Sequence, residues 1–140
     1  MPTLRSLLPI VLIGLCTLGC SGPSTIKANG RVLKGGTPFK LGEGEGLRIF
    51  FVPLEPTGPG YDSYAAEFHK DGTFQVKGKD GRGLPPGKYR VTLQLMKNKE
   101  DQFAGRFMGE KSPFLCEVRN ASDEVVVDLD QTDDLGQSSG

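Results

Sequence analysis

The stretch from Gly83 to Met96, GLPPGKYRVTLQLM, constrains this chain most. From Lys88 the pattern alternates strictly. Tyr89, Val91, Leu93 and Leu95 fall on one face, and Lys88, Arg90, Thr92 and Gln94 on the other. Period two with β-branched and aromatic residues predicts a half-buried strand. It is the longest clean alternation in the chain, and it is expected at the centre of a sheet. Pro86 and Gly87 suit the two central positions of a type II turn before it. Proline presets the first dihedral, and glycine supplies the positive φ that the second requires.

Six further short strands follow from the same reasoning. Ile26, Ala28, Gly30 and Val32 alternate with Lys27, Asn29, Arg31 and Leu33, and Gly35-Gly36-Thr37-Pro38 closes that run in a turn. Leu47 to Pro53 has apolar residues on both faces, with Leu47, Ile49 and Phe51 on one and Phe50 and Val52 on the other. Tyr64 to His69 and Thr73 to Lys77 flank Lys70-Asp71-Gly72, a hairpin turn of the Asp-Gly kind. Phe114, Cys116 and Val118 make a sixth strand, and Val125, Val127 and Leu129 a seventh, joined by a turn at Asn120 to Asp123. Lys97 to Ser112 is the least regular stretch. Phe103, Phe107 and Met108 in it need burial, and Lys99 to Phe103 is expected to make one helical turn. A connection of this length is unusual in a small domain, and it is read as a crossover that plugs one end of the fold. Glycine (20) and proline (10) are plentiful, which suits short strands joined by tight turns. Seven such strands predict an all-β fold, an antiparallel sandwich.

Charge excludes one class of partner. Lysine plus arginine equals aspartate plus glutamate at 17 each. Arg5 is the only charge in the first nineteen residues, so the remainder carries a slight acidic excess. Nucleic-acid binders gather a basic excess on one face, so no nucleic-acid partner is expected.

The N-terminus reads as an export signal. Arg5 supplies a positive start, Leu7 to Leu15 is apolar, and Thr17-Leu18-Gly19 precede Cys20. The uncharged run is too short and broken for a comfortable membrane span. The Leu-Gly-Cys ending resembles a bacterial lipoprotein signal, with Thr17 standing where that pattern favours leucine. The resemblance implies cleavage before Cys20 and lipid on it. An ordinary signal peptide cut nearby is the alternative. The expected organisation is a signal peptide over 1–19, a lipidated Cys20 with a tether over 20–25, a folded domain over 26–130 and a polar, disordered tail over 131–140. On this reading Cys16 leaves with the signal, and Cys116 is a lone structural thiol on an apolar face.

Several residues together resemble a known family. Gly30-Arg31-Val32 with Gly35-Gly36-Thr37-Pro38, then Ile49-Phe50-Phe51-Val52-Pro53, Asp71-Gly72-Thr73-Phe74 and Leu84-Pro85-Pro86-Gly87-Lys88-Tyr89-Arg90-Val91 come in a familiar order. The ordered set resembles the carboxypeptidase-regulatory-like domain over Ile26 to Asp130. That resemblance implies a seven-stranded, transthyretin-like Greek-key sandwich and supplies no catalytic residues. Phe68-His69 departs from it, where the family often has Thr-Asp.

Chemistry-bearing residues are few. His69 is the single histidine, and no spaced ligand pair accompanies it for zinc. A Ser-His-Asp arrangement would depend on His69 beside a surface turn. GEGEG at 42–46 reads as a solvated loop. GKDGRG at 78–83 matches a phosphate-cradling loop only in composition, because no helix and no lysine-serine pair follow it. Asp123, Glu124, Asp128, Asp130, Asp133 and Asp134 form an acidic stretch that lacks the spacing of a calcium loop. The expectation is a non-catalytic, lipid-anchored cell-envelope module without cofactor or metal. It would face the periplasm or exterior, be held to a membrane through Cys20 and contact a protein or glycan by its loops. A small-ligand or calcium-binding envelope protein and an unrecognised hydrolase are the alternatives.

Overall fold

The computed structural model describes residues 24–55 and 63–130. In chain order the strands are β1 (Asn29–Lys34), β2 (Thr37–Pro38), β3 (Glu45–Pro53), β4 (Tyr64–Phe68), β5 (Thr73–Val76), β6 (Gly87–Lys97), β7 (Glu100–Asp101), β8 (Phe114–Val118) and β9 (Glu124–Asp128). The fold is all-β. Among the described residues the only helical element is a 3-10 turn at Gly109–Lys111. The expected signal peptide, Cys20 with most of its tether, and the C-terminal tail lie outside the described residues.

All nine strands belong to one curled sheet. Its long strands run in the order β9, β1, β5, β4, β3, β6, β8, while β2 extends the β1–β5 side and β7 folds back on β6. Every pairing is antiparallel except β1 with β9, which is parallel. β6 is paired on both edges, as its alternation requires, but it stands one strand from an end of the sheet and not at its centre. β6 pairs with β3 from Glu45↔Lys97 to Pro53↔Tyr89 on one side and with β8 on the other. Tyr89, Val91, Leu93 and Leu95 are all buried.

The core lies inside the curl. Phe51 of β3 is fully buried and meets Phe74 at 6.0 Å and Tyr89 at 6.1 Å between ring centres. These are the tilted and edge-on arrangements that aromatic quadrupoles favour. Gly30 is required where β1 crosses this cluster, because a Cβ there would overlap the Phe74 ring and the Val125 carbonyl. Phe50 and Val52, on the opposite face of β3, are half-buried. Thr92 opposite Phe50 is buried although its pattern marks it as outward, and its hydroxyl reaches the Phe50 carbonyl at 3.5 Å.

Three local expectations need correction. The positive φ before β6 belongs to Gly83 (φ 95°), and Gly87 starts the strand without one. Gly83 holds the entry to β6 against Ile26, whose amide and carbonyl both bond to Leu84. That exchange also shortens the first strand: Ile26 makes an isolated bridge, and β1 begins at Asn29. Finally, Lys99 to Phe103 forms no helical turn. Asn98 (φ 51°) and Lys99 (φ 64°) are both left-handed, as a two-residue type I′ hairpin demands, and they reverse β6 into β7. The Asp-Gly hairpin between β4 and β5 forms as expected. Gly72 (φ 89°) takes the left-handed position, and the Asp71 carboxylate accepts the amide and hydroxyl protons of Thr73 at 3.0 and 2.5 Å.

Candidate functional site

The irregular stretch 97–112 is built around one carboxylate that its sequence pattern does not mark. Asp101 Oδ1 accepts the Leu95 amide at 3.1 Å and the Phe103 amide at 3.0 Å, and Oδ2 accepts the Gly105 amide at 3.0 Å. This staple delivers Phe107 into the core, edge-on to Phe103 at 4.9 Å and tilted against Phe114 at 5.3 Å. Arg106 lies over the Phe107 ring at 4.8 Å. Buried Ser112 donates its hydroxyl to the Val91 carbonyl, and Arg90 Nη1 caps the Ser112 carbonyl at 2.5 Å. The stretch therefore packs as a plug against β6.

His69, the single histidine, is exposed at the end of β4. It lines an open groove of about 540 Å³ that also reaches Asn29, Gln75, Ser122, Asp123 and Glu124. A histidine, a serine and acids thus share one surface depression. Their bonding points elsewhere. Ser122 donates its hydroxyl to Asn120 Oδ1, which also accepts the Ser122 amide at 3.1 Å. Asp123 Oδ2 accepts the amides of Arg119 at 2.9 Å and Asn120 at 3.2 Å. Glu124 pairs with Arg31 at 2.9 Å. Serine and acid are thereby committed to shaping the turn between β8 and β9. The side chains that cap that turn follow the ordinary logic of Asx motifs.

Several other acids are likewise engaged locally. Glu45 Oε2 accepts the Gly42 amide at 2.7 Å, and because Glu45 and Gly46 already belong to β3, the loop expected over 42–46 ends at Gly44. Asp128 accepts the Asp130 amide at 3.0 Å, and Asp130 accepts the Gly35 amide. The hydrogen bonds from Thr73 hold the Asp71 carboxyl below its usual range, and Arg119 does the same for Glu117. Among the described residues no group of three histidine, cysteine or acidic side chains is gathered to hold a metal. In the 78–83 loop, Gly83 donates its amide to the Lys77 carbonyl at 2.9 Å, so this amide serves the chain reversal.

Cys116 is half-buried on β8, where burial pushes its thiol up to about 11. At neutral pH it is a protonated, weakly reactive group. It lines the second depression of note, a cleft of about 290 Å³ between β8 and β9. Val91, Phe114, Val125 and Val127 form the interior of this cleft, and Leu115 and Val126 stand exposed at its lips. Alternation marks both lips as outward-facing. That the two strands come to lie beside one another is a property of the whole sheet, and no local signal carries it.

No family model, curated protein or solved structure matches the chain.

Proposed function

We propose that the chain is a non-catalytic module of the cell envelope, anchored through lipid on Cys20, whose folded part is a transthyretin-like Greek-key sandwich of the carboxypeptidase-regulatory-like kind. Its role is contact with an envelope protein or glycan. The observation that carries the non-catalytic reading is the bonding in the His69 groove. A nucleophile would need its hydroxyl directed at the imidazole, whereas Ser122 gives its proton to Asn120 and Asp123 is held by two backbone amides. The groove is also the one feature that favours the hydrolase alternative, since it does bring His69, Ser122 and Asp123 to one depression.

Two features support the finer fold assignment. Tyr89, at the start of β6, donates its hydroxyl to the Pro85 carbonyl four residues upstream. Such a tyrosine corner is common where Greek-key sandwiches turn between sheets. The parallel β1–β9 pairing also requires a long return connection rather than a hairpin.

The anchoring reading rests on the Arg5, Leu7 to Leu15 and Leu18-Gly19-Cys20 pattern. Mass spectrometry of the mature N-terminus tests it. A diacylglyceryl thioether on Cys20 is expected, with Cys20→Ala releasing the domain to the soluble fraction or blocking processing. An unmodified Cys20, or a start several residues away, would mean a plain secreted protein. Hydrolysis of a peptide, ester or glycoside that His69→Ala abolishes would overturn the non-catalytic reading.

A further inference from the structure

The curled sheet is not closed. β8 and β9 are its two ends, and they flank the apolar cleft without pairing to one another. The direction of the unused backbone groups follows from bonds elsewhere. Leu54 N donates to Lys88 O and Leu93 N to Phe107 O, so the even residues of β6 bond towards β3 and the odd ones towards β8. Given the register Val91↔Phe114 and Tyr89↔Cys116, the amides and carbonyls of Leu115 and Glu117 point away from β6. Likewise Leu129 N donates to Leu33 O, which leaves Glu124, Val126 and Asp128 with backbone groups turned away from β1. Among the described residues, two unpaired edges therefore border one apolar cleft.

Exposed edges in natural proteins are blunted by lysine, proline, bulges or a covering loop. β8 (FLCEV) and β9 (EVVVD) contain no lysine and no proline, and their most exposed apolar residues are Leu115 (59 %) and Val126 (46 %). Unpaired backbone donors and acceptors are satisfied best by another extended backbone. The charges say which kind. The two strands carry Glu117, Glu124 and Asp128 and no cation. Arg119 and Arg31 answer the first two through exposed pairs, while Asp128 has no ion pair among the described residues. A second copy presenting β9 would set Glu124 opposite Asp128 twice, and like charges directly opposite are destabilising.

We propose that the seam between β8 and β9 receives an extended segment of a partner protein as an added strand, with apolar residues at alternate positions and lysine or arginine at its ends. This deepens the reading of the chain as a contact module, on which it rests, by moving the contact from the loops to the sheet edge. It does not depend on the lipid anchor.

The test uses the full chain and a labelled peptide, Lys-Val-Thr-Val-Thr-Val-Lys, capped at both ends. Saturable binding is expected, with slowed hydrogen exchange at the amides of Leu115, Glu117 and Val126. Replacing the central valine of the peptide by proline removes a donor and blocks pairing. The lost donor bond and the disturbed pairing of its neighbour should weaken binding by roughly tenfold or more. Glutamate in place of both lysines should also weaken it, by a margin that shrinks as salt rises. The double variant Leu115→Lys, Val126→Lys, altered only at exposed positions, should lose the peptide while keeping its melting temperature. Should that variant misfold, the proline and glutamate peptides on the unaltered chain still decide. No binding, equal binding of the proline peptide, or protection confined to residues away from β8 and β9 would overturn the proposal. So would a concentration-dependent dimer through β8, which would make a second copy the occupant. Capture of an envelope partner through the loops, with the seam indifferent to peptide, would sink this inference and leave the contact-module reading standing.

Discussion

The β3–β6 ladder and the β8–β9 seam are built from similar strands, yet one is closed and the other open. β3 and β6 stay in register over nine positions, from Glu45↔Lys97 to Pro53↔Tyr89, and bury Ile49, Phe51, Val91 and Leu93 between them and the rest of the core. β8 and β9 are five residues each, bury alternate residues such as Val118 and Val127, and pair only on their inner sides. The difference is one of neighbours and not of composition. Alternation specifies which face of a strand is apolar, but whether each edge finds a partner is decided by how far the sheet curls. Stability should therefore concentrate at β3–β6, and capacity for new contacts at the seam.

The largest expected effect lies in the ladder. Leu93→Ala removes a fully buried side chain beside Val91 and should destabilise the domain by about 2–5 kcal/mol. Chemical denaturation checks this. A loss under about half a kilocalorie, the range of surface changes, would mean that the ladder is not the centre of the core. Next comes the plug. Asp101→Ala leaves the amides of Leu95, Phe103 and Gly105 without their acceptor. It should cost about 1–3 kcal/mol and quench the packing of Phe107, read from its side-chain chemical shifts.

A third effect depends on pH. Burial raises the Tyr89 phenol from 10.0 to about 12. The folded state thus holds this proton more tightly than the unfolded chain does. Its contribution is intact below pH 10 and is lost as pH climbs towards 12. Denaturation midpoints should fall from about pH 10 upward, and Tyr89→Phe should flatten that part of the fall while costing about 1 kcal/mol at neutral pH through the lost bond to Pro85. The smallest effect belongs to the seam. Leu115→Lys at a lip should change stability by less than about 0.5 kcal/mol. A larger loss would show that Leu115 is packed, and the contrast between ladder and seam would fail.

How much of this is legible in the sequence varies by element. The strands of β3, β6 and β8 are readable because their side-chain period survives to the last residue. The apolar face of β6 is the buried face. The Asp-Gly hairpin is readable because only a few residues adopt positive φ, and Gly72 is one of them. The β6–β7 hairpin is not, because Asn98 and Lys99 occupy left-handed positions without a glycine to mark them. Gly87 misleads for the complementary reason: a glycine after proline fits a type II turn, but here the strand begins at that residue and Gly83 supplies the positive φ. At the candidate sites, His69 and Cys116 stand out by rarity alone. Asp101, Ser112 and Asn120 do not, because their roles rest on backbone groups, amides for Asp101 and Asn120 and the Val91 carbonyl for Ser112, that only the folded chain sets beside them. The parallel β1–β9 pairing joins residues far apart in the chain, and with it the seam exists only at the level of the whole sheet.

Amide hydrogen exchange on the free chain tests the contrast most directly. The account predicts strong protection at the ladder amides of Arg48, Phe50 and Thr92, and fast exchange at Leu115, Glu117 and Val126, with Cys116 and Val127, the inward-bonding neighbours of that last set, protected between them. Such alternation within β8 and β9 is the signature of an edge bonded on one side only. Uniform protection along β8 and β9, equal to that of Thr92, would mean that the seam is already closed and would contradict the account.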